Sequence, residues 1–239
     1  MPLPPDYLEA IVNARNPSWG PLVIPWPMPG NLGGVVTFAT FPEWREFVFG
    51  FGLRPAAPEV VAAKFTRAQK LYILAWLDPD LIKAGELVAM TALELAVTAR
   101  YATEETTRRI KNAVDNAKSE NRAISNKEKR WTENISFADL LKFMIERDGL
   151  TEETLLPINR RCGLPSHVIG RLAGQVKPSL AGVRNDLAHG APLDGFPWSG
   201  LLELVRDLID YAYRDWPTHE NFVPISLCDV NDLYKEHDS

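Results

Sequence analysis

From about residue 57 onward, apolar residues return at the three-to-four spacing of a helix, and before it they do not. Residues 57–77 form the first such segment, with Pro58 near the first helical position. Asp78 and Pro79 then read as an N-cap and first turn for a second helix running to about residue 102. It is apolar around most of its circumference, with Leu81, Val88, Leu95 and Ala99 on one side and Met90, Leu93 and Val97 on another. Such a helix belongs at the centre of a bundle. Thr103, Glu104 and Glu105 read as the start of a third helix reaching about Glu120, followed by a polar, mobile connection over 119–134. A fourth helix is expected from its cap Ser136 to Gly149, and short helical pieces over 151–165 and 166–176. Pro178 and Gly190 bracket a further helix in the expected order, proline at the start and glycine past the end. The segment 199–216 closes the bundle, with Leu202, Val205, Ile209 and Tyr213 on one face.

The first 57 residues differ. Eleven of the nineteen prolines lie among the first 60 residues, and Pro21, Pro25, Pro27 and Pro29 make that stretch extended or turned. Trp19, Val23, Ile24 and Trp26 give it too much apolar surface for a free linker, so it is expected to lie ordered on the domain. Residues 35–41, VVTFATF, suggest a short strand. There is no internal repeat and no run resembling a parallel-sheet strand. The expected architecture is all-α: a helical bundle over 58–216, an irregular proline-rich arm over 1–57, and an acidic tail over 217–239.

Composition narrows the function classes. No run approaches the roughly 18 apolar residues of a membrane span, and the N-terminus lacks the pattern of a secretory signal. Cys162 and Cys228 have no metal-like spacing and form no disulfide framework, so a cytoplasmic setting without metal or cofactor is expected. The net charge of −5 is uneven: residues 97–184 hold sixteen basic against eleven acidic side chains, residues 185–239 three against eleven. An acidic chain meets nucleic acid only through a local basic surface, for which RRIK (108–111) and KEKR (127–130) are candidates; a solvated charged face is the plainer reading of both.

The densest chemistry is in GVRNDLAHGAP, residues 182–192. Arg184, Asn185, Asp186 and His189 fall within six residues near a helix C-terminus. Basic groups there complement the helix dipole, and His189 could cap the last carbonyls. The alternative is a site acting on a phosphate. Arg184 and His189 stand about 140° apart on an ideal helix, so one chain does not easily aim both at one ligand.

RNDLAH, an arginine and a histidine separated by four residues on a late helix of an all-helical domain, resembles the Arg–x4–6–His signature of the HEPN superfamily. The preferred Asn after the Arg and a small residue after the His are both present, and the likeness spans roughly residues 58–216. The resemblance implies a metal-independent endoribonuclease, a hydrolase whose two motifs face each other across a homodimer, in a toxin–antitoxin or antiviral defence setting. It makes His189 the acid/base group, Arg184 the phosphate ligand, Asn185 an orienting group and Asp186 a helper. An imidazole can take the proton of a ribose 2′-hydroxyl or protonate a leaving 5′-oxygen, and a guanidinium offers paired donors to the phosphorane. Glu94 and Glu86 lie in the apolar second helix and need partners there. Arg184 suits one of them, which adds Glu94 to the candidate site. The expected partners are RNA, a second copy, and an antitoxin or regulatory protein. Two readings stay open beside the enzyme: an inactive HEPN-like dimerisation, RNA-binding or ligand-sensing module, and an unrelated helical protein with a capped helix end. Of the other candidates, His167, His219 and His237 read as surface residues, and Cys162 beside Arg160 and Arg161 as part of an exposed helix end.

Overall fold

A computed structural model describes residues 10, 20–28, 31, 33–151, 154, 168–189 and 197–216. Within them the chain is mostly helical, in the order β1 (Leu22–Pro25), β2 (Val35–Phe38), α1 (Phe41–Phe49), α2 (Glu59–Leu74), α3 (Leu81–Ser119), α4 (Asn126–Glu133), α5 (Phe137–Asp148), α6 (Val168–Leu172), α7 (Leu180–Ala188) and α8 (Leu201–Ala212). Trp19, the expected helical piece over 151–165 save for Thr151 and Thr154, the residues Arg160, Arg161, Cys162 and His167, and the acidic tail lie outside the described residues.

The arm is ordered where it is described. β1 and β2 pair antiparallel, Leu22 opposite Phe38 and Pro25 opposite Val35. Alternation sends Leu22, Ile24 and Phe38 inward and leaves Val23 and Val35 exposed. Trp26 is buried, stacked on Phe51 and edge-on to Phe47, and its Nε1 donates to Glu203 Oε2 of α8 at 3.1 Å. The backbone N–H of Arg54 donates to Asp210 of the same helix at 2.9 Å. The arm also contains a helix that the proline count hides. Pro42 sits in the first turn of α1, Glu43 accepts from the Thr40 N–H at 3.1 Å, and Phe41, Trp44 and Val48 face inward. Arm and bundle share one apolar core.

The short connection over 75–80 turns α3 back along α2. The two axes approach closely because Gly85 lies against Tyr72: a Cβ there would stand 2.6 Å from the ring. α3 contacts α2, α5, α7 and α8, and its Met90, Leu93, Ala96, Val97 and Tyr101 are fully buried. The expected break at Thr103 does not occur. α3 runs on unbroken for 39 residues, about 58 Å at about 1.5 Å per residue. Thr106 and Thr107 turn their hydroxyls back onto the carbonyls of Ala102 and Thr103 instead of capping a new helix. Glu105 is buried and binds Arg108 and Arg109, so this carboxylate is an inward salt-bridge partner and not a start signal.

The expected mobile connection also contains structure. Ser125 and Glu128 form a capping box that starts α4, Arg122 pairs with Glu128, and Thr132 is buried. Ser136 caps α5 as expected, and Gly149 closes it at φ +63°. α8 buries Leu202, Val205, Ile209 and Tyr213, the face read from the sequence.

Candidate active site

α7 is short and firmly begun. Ser179 accepts from the Gly182 N–H at 3.1 Å, and Leu180 and Val183 bury their side chains against α3, α5 and α6. This anchoring fixes the direction of the next residue. Arg184 leaves the edge of the buried face and reaches α3, where its Nε and Nη2 both donate to Glu94 Oε2 at 3.0 and 2.7 Å. Its Nη1 donates to Asn185 Oδ1 at 3.2 Å. Arg184 is 30% exposed and Glu94 29%, so the pair sits at the bundle surface, open to solvent on one side.

The helix ends at Ala188, and the His189 backbone N–H donates to the Asn185 carbonyl at 2.9 Å. The His189 side chain is exposed and makes no hydrogen bond among the described residues, so it does not cap the last carbonyls. Asp186 is also exposed. The structure therefore brings Arg184, Asn185 and Glu94 together by hydrogen bonds and leaves Asp186 and His189 outside that network. This agrees with the angular separation expected of Arg184 and His189 on a regular helix.

The second carboxylate of α3 behaves differently. Glu86 is fully buried; one oxygen accepts from the Trp198 N–H and the other lies 3.2 Å from Lys83 Nζ. Burial pushes its carboxyl up to about 7, against the opposing pull of Lys83 and the Trp198 N–H. Of the two glutamates singled out in this helix, Glu94 is the one placed for surface chemistry and Glu86 the one built into the core.

The two basic runs also separate. In RRIK, Arg108 binds Glu105 and Glu146, while Arg109 binds Glu105 and Asp139 and covers the Trp131 ring at 4.7 Å. Those arginines are structural. In KEKR, Lys127, Lys129 and Arg130 are exposed with no ion pair among the described residues, beside Trp131, which is 47% exposed. A tryptophan ring covered by Arg109, with three exposed cations in the four preceding residues, was not read from the sequence. Its only signal was the tryptophan following the charge run.

Among the described residues no group of three or more His, Cys, Asp or Glu is placed to hold a metal ion, and no helix is long and apolar enough to cross a membrane. Comparison with models of known protein families, with curated proteins and with solved structures gives no match.

Proposed function

We propose that the chain is a metal-independent endoribonuclease of HEPN type, with a composite site formed by two copies, and that it acts as a toxin or defence effector restrained by a partner. The observation that carries this reading is the Arg184–His189 segment itself. Its arginine is aimed by Glu94 and Asn185, and its histidine is exposed with an imidazole not used for capping.

In the proposed reaction His189 accepts the proton of the ribose 2′-hydroxyl as that oxygen attacks phosphorus. The same residue of the second copy protonates the 5′-oxygen as its bond to phosphorus breaks. The N–H groups of Arg184 not directed at Glu94 or Asn185 meet the charge that gathers on the phosphorane oxygens. Glu94 holds the guanidinium in one orientation, which removes a reorganisation cost from the transition state. Two copies also resolve the angular problem, because each motif supplies the group the other cannot aim. The exposed Trp131 with Lys127, Lys129 and Arg130 offers a place for single-stranded RNA to stack and bind.

One observation favours a second reading. Nε and Nη2 of Arg184 both point at Glu94, as they would in a structural pair of an inactive dimerisation, RNA-binding or ligand-sensing module. Incubation with varied single-stranded and structured RNAs in a chelator separates the two. The nuclease reading expects cleavage that leaves 2′,3′-cyclic phosphate or 3′-phosphate ends, because proton transfer and a guanidinium suffice for the chemistry. RNAs left intact with and without added divalent cations would favour the inactive module, and cleavage abolished only by the chelator would refute the metal-independent mechanism.

A further inference from the structure

Behind α7 the bundle is not filled. A cavity of about 210 Å³ lies between α6, α7 and α8 and is bordered by Pro27 of the arm. Leu172 of α6, Leu180 and Val183 of α7, and Leu201 and Leu204 of α8 make its walls apolar. A smaller apolar cavity, about 150 Å³, is enough to hold a benzene ring, so the space suits a molecule of about eight to ten heavy atoms. Its rim is fixed in advance, since Glu86 holds the backbone of the lining residue Trp198.

Arg171 is the one charged residue among those lining this cavity. Its Nε is buried, and among the described residues it has no hydrogen-bond acceptor and the side chain no ion pair. The residue as a whole is half-buried. Other arginines of the fold find partners: the more deeply buried Arg109 holds Glu105 and Asp139, and the more exposed Arg147 holds Glu104 and Asp148. Burial can raise the pKa of a carboxyl so that it holds its proton to higher pH, as it does for Glu86, but a guanidinium cannot shed its charge. An N–H so placed gains from an acceptor, and an anionic one is the strongest.

We propose that this cavity binds a small organic anion, with a carboxylate on Arg171 and an apolar body among the leucines of α6, α7 and α8. The site stands apart from the proposed nuclease chemistry and does not depend on it. It also touches the motif helix, because Leu180 and Val183 belong to the element that carries Arg184, so an occupant would brace α7 from within.

Hexanoate, with eight heavy atoms, is a suitable probe for calorimetric titration and thermal melting of the full chain, with hexan-1-ol as the uncharged control. Hexanoate should raise the melting temperature by about 3 °C at about ten times its dissociation constant, and hexan-1-ol far less. Arg171→Met should abolish the hexanoate response, and Arg171→Lys should retain part of it. Because Arg171→Met removes packing as well as charge, Leu204→Trp serves as the second variant. It fills the cavity, leaves Arg171 in place, and should also abolish binding. The proposal is overturned if about 20 mM hexanoate gives neither heat nor a melting shift, a limit weaker than any useful site. Equal responses to hexanoate and hexan-1-ol overturn it too, as does a hexanoate response retained by Arg171→Met or by Leu204→Trp.

Discussion

Replacing Glu86 by Gln should change how the stability of the protein depends on pH. The carboxyl titrates near 4.5 in an unfolded chain and is pushed up to about 7 in the fold, where burial outweighs the help of Lys83 and the Trp198 N–H. Between those values the native protein keeps a proton that the unfolded chain releases, so raising the pH favours unfolding. The cost is absent below about pH 4 and complete above about pH 8. At about 1.4 kcal/mol per tenfold change it reaches about 3 kcal/mol. Glutamine keeps the shape and an acceptor for Trp198 but cannot ionise. Urea unfolding of both proteins between about pH 5 and about pH 8 should show the difference in their stabilities moving by about 2 to 3 kcal/mol in favour of the variant as the pH rises. Taking the difference cancels other titrating groups, among them Asp207, which burial also raises to about 7 despite Arg206. A difference that stays constant over that range would show that Glu86 ionises normally and that its burial has been misjudged.

Four further outcomes are expected from the packing and the proposed site. Arg184 and Glu94 are each about 30% exposed, so a double-mutant cycle should give a coupling of only about 0.2–1 kcal/mol in stability. Glu94→Gln should nevertheless lower RNA cleavage by more than that stability loss explains, and an unchanged cleavage rate would remove Glu94 from the site. Trp26→Ala should cost about 3–5 kcal/mol, since it deletes a buried ring and the hydrogen bond to Glu203; a melting temperature near that of the wild type would mean that the arm is not part of the core. Light scattering at micromolar concentration should show a dimer, and a monomer would count against the shared site.

The elements that were legible in the sequence were those whose signals are local and unopposed. Ser136 with Gly149, Pro178 at the start of the motif helix, and the stripe Leu202–Val205–Ile209–Tyr213 each named an element the structure contains. The misreadings arose where two signals compete. Eleven prolines drew attention from the Thr40–Glu43 box and the Phe41–Trp44–Val48 spacing that start α1. Thr103–Glu104–Glu105 has the composition of a helix start, yet Arg108 and Arg109 lie one turn on and convert Glu105 into a buried partner. The Arg184–Glu94 contact was legible because a carboxylate in an apolar helix must find a cation. The division of roles between Glu86 and Glu94 was not, because it depends on which side of α3 is buried and on the Trp198 N–H that meets Glu86 from just before α8. Arg171 gave no signal at all, since a missing acceptor is a property of the surroundings and not of the residue.

The claim that RNDLAH is a catalytic motif is tested most directly by comparing RNA cleavage by the wild type and by His189→Ala, purified side by side and matched for helical signal and melting temperature. The imidazole makes no hydrogen bond among the described residues, so its removal should leave stability nearly unchanged. Loss of the acid/base group should lower cleavage by about a hundredfold or more. Cleavage retained by His189→Ala, together with a loss of about 1 kcal/mol in stability, would show instead that the histidine serves the end of a helix.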